Sequence, residues 1–271
     1  MRAVRPLVAT PPEFLRLAGH PLRWQLLAAL ADGDQRVREL AARIGQPQNL
    51  VSYHLRLLRD AELVRATRSS FDGRDSYYHL DLDRCAEAHA HSGSALHPAL
   101  RPTARPTAHR GIGGPESPRT PAGPVAVLFV CTGNSSRSPI AELLLRRRAA
   151  GTVTVASAGT RPKPSMHPHT VRVLHESFGI DAAGLRPRHV DTVVDRRFDH
   201  VITMCDRARE ACPAFSDNPR RAHWSLPDPA TAEGTGDATY PAFRRIAADV
   251  DTRVRNLLPV LTATHRQEDP P

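Results

Sequence analysis

Residues 125–138 read VAVLFVCTGNSSRS: an apolar run, then a cysteine, five small or polar residues, an arginine and a serine. The run Val125–Val130 is short and free of charge, which predicts a strand buried on both faces, and Pro139–Ala150 behind it predicts a helix. In that strand-loop-helix setting Cys131 and Arg137 close a loop. The backbone N–H groups of Thr132, Gly133, Asn134, Ser135 and Ser136 point inward, and the helix N-terminus adds positive potential. A tetrahedral oxyanion such as phosphate or arsenate fits this cradle. The same field is expected to lower the Cys131 pKa and give a thiolate nucleophile. Arg137 can grip two anion oxygens, and Ser138 can hydrogen-bond the sulfur.

Toward the C-terminus the pattern alternates. Strands are predicted at 153–157 and 200–204 and helices near 168–178 and 242–258. Residues 125–271 therefore read as an α/β domain with a doubly wound parallel sheet, whose site lies at the carboxyl ends of the strands. Cys205 and Cys212 follow the strand at 200–204, two helical turns apart. At ~1.5 Å rise per residue they stand about 10 Å apart, so a disulfide between them requires the segment to unwind. The intervening Asp206-Arg207-Ala208-Arg209-Glu210 predicts an exposed, movable stretch.

Toward the N-terminus, residues 92–124 hold seven prolines and five glycines with no apolar period, the composition of an extended linker. Residues 1–91 carry helical spacing over Pro12–Leu30, broken at His20-Pro21, and over Val37–Ile44. After a tight turn at Gly45-Gln46-Pro47 comes Gln48–Asp60, with Val51, Leu55 and Leu58 on one buried face. A hairpin follows from Arg65–Ser70 and Ser76–Leu82, completing a winged helix-turn-helix, mainly α with a β-wing. Opposite the buried face, Gln48, Asn49, Ser52, Tyr53 and Arg56 can reach base edges or phosphates in a major groove. Arg65, Arg68 and Arg74 on the wing can contact backbone phosphate.

With 271 residues, 40% apolar and 24% charged, the chain is too apolar to be disordered throughout and long enough for two domains. A net charge of +9 favours anionic partners without choosing between small oxyanions and nucleic acid. No apolar run approaches the ~20 residues a bilayer span needs, and Met1–Thr10 lacks a signal-peptide core, so a soluble, cytoplasmic protein with no membrane partner is expected. Four cysteines are too few for a disulfide scaffold, and each is read for reactivity instead. Cys85, His89, His91 and His97 are spaced closely enough to hold a metal. Cys85 reads better as a packed side chain of a dimerisation helix, and no metal is expected.

The stretch LAGHPLRWQLLAALADGDQRVRELAARIGQPQNLVSYHLRLLRDAELVRATRSSFDGRDSYYHLDL resembles the ArsR-type winged-helix repressors over nearly all of residues 11–91. The resemblance implies a homodimer on a palindromic operator, released by an inducer. Val37-Arg38-Glu39-Leu40 stands where arsenic-sensing members carry paired cysteines, so their usual arsenite site is not expected. LFVCTGNSSRSPIAELLL, ASAGT, GIDAAGLRPR, DHVITMCDRAREACPAF and HWSLPDPA resemble, in order, the low-molecular-weight tyrosine phosphatase fold. The likeness is stronger to its thioredoxin-coupled arsenate reductase branch and covers almost all of residues 125–260.

That second resemblance implies that Cys131 forms a covalent arsenate adduct with Asp228 as the acid. Cys205 then attacks the Cys131 sulfur as arsenite leaves, and Cys212 moves the disulfide to Cys205–Cys212. An external dithiol, thioredoxin or mycoredoxin, would reduce it, with no bound cofactor. A tyrosine phosphatase would need only Cys131, Arg137 and Asp228. Phosphatases of this fold place aromatic residues after the Asp-Pro pair to hold a phenyl ring, whereas Ala230 and Thr231 follow here, which favours a small inorganic anion. Ser136 stands where many of the reductases carry an additional cysteine. Some reductases bind potassium beside the loop; Asn134, Glu142 and Ser157 match those positions, but Arg188 stands where an acidic ligand would sit, and no potassium is expected. The expectation is therefore a regulator fused to an arsenate reductase. The alternatives are a regulator fused to a tyrosine phosphatase and a non-catalytic DNA-binding sensor whose Cys131 loop holds an oxyanion or arsenite as inducer.

Overall fold

The computed structural model describes residues 10–97, 100, 124–232 and 236–266. They fall into two compact units, and the hairpin turn Arg68–Asp75 groups with the second.

The first unit comprises α1 (Glu13–Ala18), α2 (Pro21–Ala31), β1 (Gln35–Arg36), α3 (Val37–Ile44), α4 (Gln48–Asp60), β2 (Val64–Arg68), β3 (Ser76–Leu80) and α5 (Leu82–Leu96). Pro21 opens α2, where its missing N–H would have no partner in any case, and the His20 ring caps the helix by accepting from Leu22 N at 3.2 Å. The Glu39 carboxylate accepts from Arg36 N at 2.9 Å to start α3. Gly45 ends it at φ 72°, a left-handed conformation that glycine adopts without a Cβ clash. Pro47 then opens α4, so α3 and α4 form the two helices of the turn motif. Leu26, Leu40, Val51, Leu55 and Leu58 fill the core.

Two features of this unit differ from the sequence reading. The hairpin is part of a three-stranded sheet in the order β1-β3-β2, with Arg36 opposite Tyr77; two residues of strand are too few to show a period. Helix α5 continues to Leu96, five residues into the stretch assigned to the linker from residue 92. Nothing between Ser92 and Leu96 breaks a helix outright, and Ser92 Oγ returns a hydrogen bond to Ala88 O at 2.8 Å. Nearly all the remainder of the expected linker lies outside the described residues.

The second unit is a four-stranded sheet, all parallel, in the order β5-β4-β6-β7: β4 (Val125–Cys131), β5 (Val153–Gly159), β6 (His200–Thr203) and β7 (Arg220–His223). With it pack α6 (Arg137–Ala149), α7 (Pro168–Phe178), the short α8 (Asp206–Ala211) and the long α9 (Tyr240–Arg266). This is the doubly wound class expected. Strand β7 was not anticipated, because its sequence Arg-Arg-Ala-His carries no apolar run. Val127, Leu128, Phe129 and Val130 are buried on both faces of the sheet, and Ile140, Leu144 and Leu145 of α6 pack into the same core. The chain leaves central β4 toward β5 on one side and returns to β6 on the other, so the connections diverge between the carboxyl ends of β4 and β6. In open parallel sheets that divergence leaves a crevice for ligands.

Candidate active site

Cys131 ends β4 at this crevice, and the loop from Thr132 to Ser136 carries the chain into α6. Its carbonyls are turned outward by a partner segment. Thr160 N donates to Cys131 O at 3.1 Å, Arg161 N to Thr132 O at 2.8 Å, Lys163 N to Gly133 O at 2.9 Å and His167 N to Ser135 O at 3.0 Å. With the carbonyls committed on one side, the amides face the other, and Asn134 N donates to Cys131 Sγ at 3.2 Å. Asn134 takes a left-handed φ of 45°, which its side chain holds at three points: Nδ2 donates to Ser138 Oγ at 3.0 Å and Ser157 Oγ at 2.9 Å, and Oδ1 accepts from Arg188 N at 2.9 Å. Gly159 lets β5 approach, since a Cβ there would lie 2.7 Å from Thr132 O.

Ser138 Oγ lies 3.0 Å from Cys131 Sγ. Burial pushes the Cys131 thiol up; the Arg137 charge pulls it down, Cys205 pushes it further up, and hydrogen bonds from Ser138 pull it down without cancelling the rise. The lowered pKa expected from the loop's spacing is therefore corrected: the sulfur is fully buried, and the hydration it loses outweighs the loop's favourable field.

Arg137 is buried. Its Nη1 donates to Leu226 O at 3.0 Å and its Nη2 to Asp228 Oδ2 at 2.9 Å. Its Nε, and the hydroxyl of Ser136 beside it, are buried without a hydrogen-bond partner among the described residues. Buried polar groups are nearly always paired, and two such donors share this one loop. Asp228 is half-buried at the start of a short 3-10 turn, where its Oδ1 accepts from Ala230 N at 3.1 Å.

Cys205 reaches the same site from the neighbouring strand. Val130 pairs with Thr203, so Cys131, the last residue of β4, and Cys205, two residues past β6, lie at the carboxyl ends of adjacent strands. Thr132 Oγ1 is 3.2 Å from Cys205 Sγ, a contact the sequence reading missed because it follows from parallel register rather than from any motif. Cys205 and Cys212 bracket α8 as its two caps instead of sharing one face of it, because the helix is only six residues long. Cys205 is buried, and Cys212 is half-buried with its thiol pushed up by burial. The stretch between them is not uniformly exposed as expected: Arg207 and Glu210 face solvent, but Ala208 packs in the core and Asp206 accepts from His223 Nε2 at 3.1 Å and Ser225 Oγ at 2.8 Å.

In the first unit Gln48, Asn49, Ser52, Tyr53 and Arg56 all lie exposed on one face of α4, and the Arg56 guanidinium sits 5.7 Å over the Tyr53 ring. Arg65 pairs with Asp81 at 2.5 Å; in the hairpin turn, Arg68 Nη1 donates to Gly73 O at 3.0 Å and Arg74 is exposed. Cys85 is half-buried with its thiol pushed up to about 11 by burial and the nearby Asp81 charge. No group of three His, Cys, Asp or Glu side chains placed to hold a metal occurs among the described residues. Nor, among them, is any helix long and apolar enough to cross a membrane.

Fold and loop together define an α/β domain with a cysteine loop at the carboxyl ends of its parallel strands, preceded in the chain by a helix-turn-helix. Comparison with known proteins makes this specific. The family model for low molecular weight phosphotyrosine protein phosphatases matches residues 126–268, more than half of the chain, and the chain belongs to that family. The model for bacterial regulatory proteins of the arsR family matches residues 20–66, so the chain is a fusion of the two domains. Among relatives, the arsenate reductase of Halalkalibacterium halodurans is 34% identical over 129 residues, 48% of this chain and 91% of that protein. That of Bacillus subtilis (strain 168) is 31% identical over the same shares. Among solved structures, an arsenate reductase from Archaeoglobus fulgidus shows 30% identity and a TM-score of 0.42, covering 49% of this chain and 98% of that one.

Proposed function

We propose that the C-terminal half is an arsenate reductase and that the N-terminal half binds operator DNA. The observation that carries the first reading is the second sulfur at the loop: Cys205 Sγ, 3.2 Å from Thr132 Oγ1, beside Cys131. Ester hydrolysis has no use for it, whereas reduction needs two electrons from thiols. Cys131 attacks arsenic held by the loop amides, Ser136 and Arg137, and one oxygen leaves as water with the proton from Cys131 relayed by Asp228. Cys205 then attacks the Cys131 sulfur. The S–S bond forms as the S–As bond breaks, and the electron pair stays on arsenic, which departs as arsenite. Cys212 attacks Cys205, freeing Cys131 and leaving Cys205–Cys212 oxidised. The helix between them spans about 9 Å at ~1.5 Å per residue, so α8 must unwind to close that bond. A thioredoxin-like dithiol, thioredoxin or mycoredoxin, returns it to the reduced state.

The exposed polar face of α4 and its arginine support the second reading, a homodimer binding a palindromic operator in the cytoplasm. The working boundaries are residues 1–91, 92–124 and 125–271, with the first helical unit continuing to Leu96. Purified full-length protein should release arsenite from arsenate in the presence of thioredoxin, its reductase and NADPH. Cys205→Ser and Cys212→Ser should each abolish multiple turnover while leaving slow aryl phosphate hydrolysis. Efficient cleavage of phosphotyrosine peptides without thiol-dependent arsenite release would instead make this half a phosphatase. Ligand-driven operator release that survives Cys131→Ser, with no catalysis by the wild type, would make it a sensor.

A further inference from the structure

Behind the Cys131 loop lies a buried carboxylate that the reaction does not use. Glu142, on α6, is 1% exposed. Its Oε2 accepts from Ser157 Oγ at 2.5 Å, and its Oε1 faces two guanidiniums, Arg146 Nη2 at 2.5 Å and Arg188 Nη2 at 3.5 Å. A buried carboxylate persists only when paired, and both arginines serve that end, but from different sides. Arg146 comes from the next turn of the same helix and is largely exposed. Arg188 comes from the loop side: its Nε donates to Ser157 O at 2.7 Å and its backbone N to Asn134 Oδ1 at 2.9 Å. From there the contacts run unbroken through Asn134 Nδ2 to Ser138 Oγ and on to Cys131 Sγ.

The oxygen donors that would surround a small cation at this place are Glu142, Ser157 and Asn134. Here the Arg188 guanidinium takes up Ser157 O and faces Glu142, the Arg188 backbone N–H takes up Asn134 Oδ1, and the carboxylate already faces two positive charges. A potassium ion does not fit without displacing Arg188.

We propose that Arg188 is a positioning residue for the Cys131 loop, its guanidinium acting as a built-in cation that fixes Glu142 and Ser157, and through Ser157 Oγ the Asn134 amide at 2.9 Å, and so makes the loop independent of added potassium. This rests on the reading of Cys131 as the nucleophile. Its test, however, requires no arsenate: iodoacetamide alkylation of Cys131 is followed against pH in the full chain with Cys85, Cys205 and Cys212 changed to serine, in potassium chloride and in choline chloride of equal ionic strength. The parent should behave identically in both salts. Arg188→Ala should react about tenfold more slowly at pH 7 in choline chloride, the equivalent of one hydrogen bond lost at ~1.4 kcal/mol, and should recover in potassium chloride. Arg188→Lys, which keeps the charge, should stay near the parent in both salts. Should Arg188→Ala fail to fold by circular dichroism, Arg188→Gln carries the same comparison. Unchanged alkylation in the uncharged variants, an equal loss in both salts, or a potassium response of the parent would overturn the proposal. Absence of arsenate reduction with this salt pattern intact would instead count against the reductase reading alone.

Discussion

Replacing Ser138 by alanine removes the hydroxyl 3.0 Å from Cys131 Sγ while leaving the loop's other ties in place, because Asn134 Nδ2 retains its bond to Ser157 Oγ. As a neutral thiol Cys131 has little claim on the Ser138 proton, which can point instead to Ala158 O at 3.3 Å. As a thiolate it is a pure acceptor, and Ser138 must turn to donate to it. The interaction therefore favours the charged form, and its loss raises the pKa further above the value that burial already pushes up. A hydrogen bond to a charged group contributes about 1.5–3 kcal/mol, which at ~1.4 kcal/mol per unit is a rise of about 1–2 units and a thiolate population about 10–100-fold smaller at neutral pH. The assay is the rate of iodoacetamide alkylation against pH, with the other three cysteines changed to serine. A midpoint that does not move, or moves down, would refute the idea that Ser138 stabilises the attacking sulfur.

Other expectations concern the rest of the chain. Cys85, with its thiol pushed up to about 11, should resist alkylation at neutral pH. Its raised value also sets a sign: the stability it contributes is complete below the ordinary thiol range of ~8.5 and is lost as pH rises through about 11. The gap in urea midpoint between wild type and Cys85→Ala should accordingly narrow over that window. Asn49→Ala should weaken operator binding by about 1–3 kcal/mol and relax sequence preference, whereas Arg56→Ala should weaken binding to all duplexes and flatten the salt dependence by about one ion, both read by fluorescence anisotropy. Leu55→Ala, in the core of the first unit, should cost about 2–5 kcal/mol in chemical denaturation followed by circular dichroism.

What the sequence made legible follows from how local each signal is. Strand, loop and helix around Cys131 are contiguous in the chain, so residue type and spacing suffice to place Arg137 and Ser138 beside the sulfur. The turn at Gly45 is equally local. Contacts made across the sheet were not legible: Thr132 meets Cys205 only because β4 and β6 lie side by side in parallel register, and Arg188 reaches Glu142 from a distant connection. The Cys131 pKa was misjudged for a related reason, since spacing shows which donors surround a sulfur but not how completely water is removed from it. Strands β1 and β7 escape a sequence reading because one is two residues long and the other, Arg-Arg-Ala-His, has no apolar run.

The outward hydrogen bonds between residues 131–135 and the chain from Thr160 to His167 mean that the seat proposed for the anion is moulded by a segment to which the proposed reaction assigns no step. Adding or removing one residue in that mould would tilt several amides together while every reactive side chain stayed in place. Enzymes sharing this cysteine loop could thus come to prefer different tetrahedral ions through changes that an inspection of their reactive residues alone would pass over.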